Sequence, residues 1–319
     1  MTNELRFKWR MGALCMLLAG VPAVVPAQHF VSGITMPEPG SVPAFPVETD
    51  FQTPPGYQAP KNVDLSKWFT PPGNQGRQAS CTTWAFCYAA MGYFWNRADE
   101  RTYIPQDTAD PTTTYSPAFL FNLLKQRSNG SCDDAESMEE VLRLASTHGI
   151  CTWEQMPYDT ALASCTTEVP IAAMRTARTS LRPQLVELEK TDILQWKYHL
   201  DMGHPIIAVI VPDSVFWYRG YATNGDSMLN WRSGNNGPLG HAHAVVCTGY
   251  CGDSLFTFIN SYGTQWGGHG YFTATWKMLH DRCVDAHALV NDTIALVALA
   301  PMLYEMPDSV MGSLVKERF

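Results

Sequence analysis

Residues 74–86 read NQGRQASCTTWAF, a Gln75-Gly76 pair and a small-residue run leading to Cys81, where an aromatic-rich segment begins. From Cys81 onward apolar side chains occupy nearly every helical face, and Asn96 and Arg97 begin a polar exit, which predicts a buried helix over 81–97. That puts a thiol at a helix N-terminus. A cysteine is a good nucleophile only as thiolate, and unpaired N–H groups with the helix dipole favour the anion there.

Downstream, YSPAFLFNLLKQ predicts a second helix with Ser116 as N-cap and Pro117 in its first turn. SMEEVLRLAST predicts a third, with Ser137 and Glu140 at capping-box spacing and Met138, Val141, Leu142 and Ala145 on one face. DILQWKYHLDM is a fourth, stopped by Gly203. The pattern then changes. PIIAVIV, HAVVCTGY, LFTFIN and GYFTATW are short β-branched and aromatic runs separated by turn residues. Helices first and strands second predict an α+β protein of two lobes, with a cleft where they meet.

The 319 residues, 45% hydrophobic and 16% charged, suffice for one large domain or two small ones. The formal charge is −8 without a basic cluster, which argues against a nucleic-acid partner. Residues 1–27 read as a signal peptide: Arg6, Lys8 and Arg10, an apolar core over 11–21, and Val25-Pro26-Ala27 as cleavage site. The apolar stretch is too short and too Pro-broken for a membrane span. Cleavage near Ala27 removes one acid and three bases and takes the charge from −8 to −10. The expected product is exported, to a periplasm, cell surface or medium. Residues 28–60 are Pro- and Gly-rich and read as a pro-segment or linker. Cys15 leaves with the signal, and of Cys81, Cys87, Cys132, Cys151, Cys165, Cys247, Cys251 and Cys283 most are expected to pair.

The strand-rich half supplies partners for the thiol. His241 and His243 begin the strand GHAHAVVCTGY, and Asn260 follows His243 at a distance of 17 residues. An asparagine amide can take a hydrogen bond from a histidine and fix its ring. Gln75, just before Cys81, offers a side-chain donor which, with the Cys81 N–H, suits a developing oxyanion.

Taken together, these motifs resemble the papain-like cysteine peptidases, most closely bacterial secreted members. The matching pieces are Gln75-Gly76 with Ser80-Cys81 and Trp84-Ala85-Phe86; His243-Ala244-Val245 with Gly249-Tyr250; and Asn260-Ser261-Tyr262-Gly263 with Trp266-Gly267 and Gly270-Tyr271. GICTWEQMPYD (149–159) and PKNVDLSKWF (60–69) look like the bacterial branch. The resemblance implies Cys81 as nucleophile, His243 as general base and then acid, Asn260 as its orienter, Gln75 as oxyanion donor, and Trp266 shielding the His–Asn bond. It also implies a two-lobed domain over 61–285 (helical lobe about 75–200, antiparallel β-rich lobe about 204–285) and a C-terminal extension over 286–319. The expected partner is a peptide or protein substrate, with a proteinaceous inhibitor as a second, on a monomer without cofactor or metal.

Departures are visible. Gln78 stands where the family usually has a cysteine, Thr82 and Thr83 separate Cys81 from Trp84, and Tyr262 replaces a usual tryptophan. Alternatives are a structural disulfide at Cys81, His241 in place of His243, and a metal set of His241, His243, Cys247 and Cys251, against which stand the loose spacing and a turn expected at Gly249 before Cys251. The run Asp133-Asp134-Glu136-Glu139-Glu140 reads as a solvated helix start. At the level of function, the alternatives are a non-catalytic peptide-binding homologue and a transglutaminase-like acyl transferase.

Overall fold

A computed structural model describes residues 34–35, 47–161, 164–180, 184–232 and 241–291. The signal peptide and most of the C-terminal extension lie outside the described residues, as do residues 36–46 of the pro-segment.

Helix α1 runs over 81–98 in three stretches: Cys81–Thr83 is α-helical, Trp84–Met91 has π spacing, and Gly92–Ala98 is α-helical again. Every side chain from Trp84 to Met91 is buried, as a helix apolar on all faces demands. Around it pack α2 (Pro117–Ser128), α3 (Met138–His148) and α4 (Ile171–Ala177). The expected caps do not form. Ser116 spends its hydroxyl on the Met156 carbonyl at 2.5 Å, and Ser137 makes no side-chain cap bond. In α5 (Ile193–Asp201) Asp192 takes the N–H groups of Leu194 and Gln195.

Apart from a two-stranded pair, the described strands form a mixed, mostly antiparallel sheet in the order β2 (Val47–Glu48), β5 (Gln184–Glu187), β11 (Cys283–Val290), β6 (Ile206–Ile210), β8 (His243–Cys251), β9 (Leu255–Ile259), β10 (Tyr271–Thr275), β7 (Leu229–Trp231). β3 (Asn62–Asp64) pairs with the far end of β8. Residues 286–290, placed by sequence in the extension, are the greater part of β11, which sits between β5 and β6. Gly249 does not end its strand: it follows a bulge, pairs with Asp64 and Thr257, and β8 continues to Cys251. A β-carbon there would stand 2.2 Å from the Val63 carbonyl oxygen, so the glycine is what lets β3 close on β8.

The central strands are buried on both faces. Ala244 and Val246 of β8, with Ile207 and Val209 of β6, pack against α1. Val245 and Cys247, with Ile206, Ala208 and Ile210, pack into a second core roofed by Trp196, Trp231 and Trp266. The sheet is thus a shared wall, and the start of β8 meets the N-terminus of α1. Upstream, β1 (Ile34–Thr35) pairs parallel with β4 (Glu136–Ser137), and β2 pairs parallel with β5, so the N-terminal segment is tied to both halves of the molecule.

Among the described residues there is one disulfide, Cys132–Cys165, rather than a majority of cysteines paired. Cys87, Cys151, Cys247 and Cys283 are buried thiols that pack as small apolar residues. Among the described residues no helix is long and apolar enough to cross a membrane.

Candidate active site

Cys81 opens α1 with Ser80 at the N-cap position. The loop before it is held by its own side chains. Asn74 Oδ1 accepts from Gly76 N at 2.9 Å, and Gly76 has φ +63°, the left-handed backbone that a glycine adopts without strain. Tyr158 donates its hydroxyl proton to the Gln75 carbonyl at 2.8 Å, so the 2.6 Å contact with Ser80 Oγ has the serine as donor. One phenol thereby fixes both ends of the loop. Gln78, in the place of the missing cysteine, gives its amide to the carbonyls of Asp159 and Ala161 and to Ser164 Oγ.

The same loop is stitched to the segment carrying Asn260. Gln75 N donates to the Ser261 carbonyl at 2.9 Å, Gly263 N to the Gly73 carbonyl at 2.8 Å, and Asn74 bridges Tyr262. Ser261 Oγ donates to Gln75 Oε1 at 2.6 Å, which settles which end of that amide is the donor. Gln75 Nε2 then reaches the Gln78 carbonyl at 2.9 Å.

His243 begins β8 and is fully buried, whereas His241 is exposed. Its Nε2 lies 2.8 Å from Asn260 Oδ1. The Ser261 N–H donates to the same oxygen at 2.8 Å, and an N–H can only meet an acceptor, so the amide orientation is fixed. His243 must then carry its proton on Nε2 when neutral, leaving Nδ1 unprotonated. Burial pushes the His243 pKa down to about 4, with the Asn260 hydrogen bond offsetting part of that.

Sequence reasoning missed the surroundings of this ring. Helix α6 (Ser214–Ala222), capped by Asp213, sets Phe216 and Trp217 against His243 at ring-centroid distances of 6.2 and 5.9 Å. Trp266 packs on Phe216 at 4.9 Å and edge-on to Tyr262 at 5.8 Å. Tyr262 stacks on His243 with centroids 4.7 Å apart and planes 15° apart, and its hydroxyl lies 3.2 Å from Nδ1. Burial first, and then the charges of Cys81 and Tyr221, hold that phenol well above its ordinary pKa. An Asp-Ser start ahead of an aromatic run was a legible helix signal for α6.

The acidic run also reads differently in place. Glu136 is 2% exposed, not solvated; its Oε2 faces Thr83 N at 3.4 Å, in the first turn of α1. Burial pushes its carboxyl up to about 8 against the pull of Lys125 and Thr83. Among the described residues no three His, Cys, Asp or Glu side chains gather as a metal site.

A thiol at a helix start, an oriented imidazole and an amide donor are the parts needed for acyl transfer through a covalent thioester. The sequence profile described as papain family cysteine protease matches residues 59–289. Comparison with curated proteins finds no match. Among solved structures the chain is similar to xylellain, a cysteine protease from Xylella fastidiosa, at 20% identity and TM-score 0.64, over 82% of this chain and 96% of that one. It is also similar to digestive procathepsin L2 from the larval midgut of Tenebrio molitor (17%, TM-score 0.61, 84% and 81% covered). A third is procathepsin B S9 from Trypanosoma congolense (13%, TM-score 0.55, 82% and 86% covered). At these identities the likeness is one of fold.

Proposed function

The chain belongs to the papain family of cysteine proteases, and from that premise we propose that it hydrolyses peptide bonds with Cys81, His243, Asn260 and Gln75. The observation that carries the assignment is the His243–Asn260 hydrogen bond, whose polarity leaves Nδ1 unprotonated and so able to take a thiol proton.

In the proposed cycle the Cys81 thiol gives its proton to His243 Nδ1, and the sulfur attacks the peptide carbonyl. The oxyanion is held by the Cys81 N–H, at the first turn of its helix, and by the Gln75 amide. The tetrahedral adduct expels the amine as His243 Nδ1–H protonates it, leaving a thioester. His243 then takes a proton from water, whose oxygen attacks the thioester and releases the acid and the thiol. Asn260 keeps the ring in the plane of these transfers. Cys81 and His243 are both fully buried here, so a substrate reaches them only when part of the cover moves.

Export is part of the same reading: the basic, apolar and small-residue succession over 1–27 supports it, and the Cys132–Cys165 bond suits an oxidising compartment. N-terminal sequencing of the mature protein tests it; an N-terminus upstream of the apolar core contradicts export with cleavage. The peptidase assignment is tested by incubating a denatured protein with the enzyme and mapping fragments by mass spectrometry. Cleavage lost in both Cys81→Ala and His243→Ala supports it. Amine cross-links in place of fragments point to acyl transfer, and no reaction at all points to a binding protein.

A further inference from the structure

The proposed reaction uses His243 Nδ1 as the acceptor of the thiol proton, yet that nitrogen already has a neighbour. The Tyr262 hydroxyl lies 3.2 Å from it, on a ring stacked 4.7 Å from the imidazole. Because Ser261 N–H and His243 Nε2–H both point at Asn260 Oδ1, neutral His243 offers Nδ1 only as an acceptor, so between these two atoms the phenol is the donor. The ring has little freedom to leave. Tyr262 is 3% exposed, with Trp217 at 5.7 Å, Tyr221 at 6.3 Å and Trp266 at 5.8 Å around it, and its backbone bridges Asn74.

Resting on the peptidase reading, we propose that Tyr262 is a further catalytic residue, whose hydroxyl donates to His243 Nδ1 in the resting enzyme and gates transfer of the Cys81 proton. In the resting site the O–H of Tyr262 satisfies the lone pair that the thiol needs. For the thiolate to form, the phenol turns its proton away and gives up its bond to the ring, the S–H proton moves to Nδ1, and the new Nδ1–H points back at the thiolate. No atom is gained or lost: one proton moves from sulfur to nitrogen, and the tyrosine keeps its own. The device holds the neutral thiol–imidazole pair at the expense of the ion pair. It acts alongside the burial that already holds His243 neutral. The titratable groups facing the pair are Cys81 from α1 and Tyr221 from α6, and the carboxylate on the elements packed against it is Asp213, which caps α6 and accepts from the Trp231 indole at 3.1 Å.

Tyr262→Phe removes the hydroxyl and keeps the stack. The test is the rate of Cys81 alkylation by iodoacetamide against pH, in the full protein and in the variant, with fragment mapping to identify the labelled cysteine. Loss of one hydrogen bond that favours the neutral pair is expected to raise the rate on the acid side about two- to tenfold and to move the half-point to lower pH. An unchanged profile, or one moved to higher pH, overturns the proposal. Nitrogen NMR of the imidazole in the wild-type protein gives a readout that does not depend on how well the variant folds. An Nδ1 resonance of an accepting, hydrogen-bonded nitrogen is expected, and that of a protonated nitrogen overturns the proposal. A wild-type Cys81 that is not labelled at any pH removes the peptidase reading itself, and the role of Tyr262 with it.

Discussion

Asn260 and His243 are joined by a 2.8 Å hydrogen bond whose direction is dictated by the residue that follows the asparagine. The Ser261 backbone N–H occupies the other lone pair of Oδ1, so the amide cannot be turned round without opposing two donors. Replacing Asn260 with alanine removes this anchor and leaves the Nε2–H buried and unpaired. The expected result is a fall in kcat on the order of tenfold to a hundredfold, part of what positioned acid–base catalysis supplies, with KM changed much less. Steady-state kinetics on a peptide substrate provide the check. An equal rise in KM with kcat preserved would assign Asn260 to substrate binding instead.

The disulfide reaches the site through one hydrogen bond. Cys132 is tied to Cys165, 33 residues away, and its carbonyl accepts the Ala79 N–H at 2.8 Å, two positions before Cys81. A cross-link closing a loop of that length contributes about 3–4 kcal/mol by loop-closure entropy. Cys132→Ala with Cys165→Ala is therefore expected to lower Tm by several degrees and to slow Cys81 alkylation as the loop loosens. Calorimetry and alkylation kinetics measure the two effects separately. An unchanged Tm contradicts the structural role.

Glu136 sets a pH signature of stability. Its folded pKa is raised from 4.5 to about 8, so the native state keeps a proton that the unfolded chain has lost. That contribution is fully present below about pH 4.5 and is lost as pH rises towards 8, with a slope of up to about 1.4 kcal/mol per pH unit. His199 and His243 act in the opposite sense. Burial lowers them from 6.5 to about 3 and about 4, so what they contribute is present above pH 6.5 and lost as pH falls through those values. Stability is expected to peak near pH 6.5. In Glu136→Gln, which keeps an acceptor for Thr83 N, the decline from there to pH 8 should flatten. Urea midpoints across this range give the answer, and a decline identical in both proteins rules Glu136 out as its source.

Much of the fold was legible because its signals are local. The all-round apolar run after Cys81 reads as a buried helix, and the β-branched runs at 206–210, 243–251, 255–259 and 271–275 read as strands. The paired motifs around Gln75, Cys81, His243 and Asn260 fall in two segments that the backbone then stitches together through Gly73, Gln75, Ser261 and Gly263. What escaped depends on distant partners. Glu136 sits in an acidic run that looks solvated, and only the approach of α1 buries it. β5 is short and finds its register against β11, which in turn pairs with β6, and no local pattern announces either pairing. Ser116 and Ser137 occupy cap positions by sequence, yet the Ser116 hydroxyl is turned to donate to the Met156 carbonyl and accepts no N–H of its helix. Tyr262 could be seen as a departure from the family, but not its hydroxyl meeting His243, which needs the stack to be in place.

The central claim is that Cys81 is a nucleophile served by His243, and one measurement addresses it directly. The full protein and His243→Ala are exposed to iodoacetamide from about pH 4 to about pH 9, and the labelled cysteines are mapped by mass spectrometry. Cys251 is exposed and serves as the internal reference, while burial pushes Cys87, Cys151, Cys247 and Cys283 up and protects them. The account predicts that Cys81 labels faster than Cys251 below neutral pH, and that this advantage disappears in His243→Ala. A Cys81 that follows the profile of Cys251, or one indifferent to His243, would contradict it.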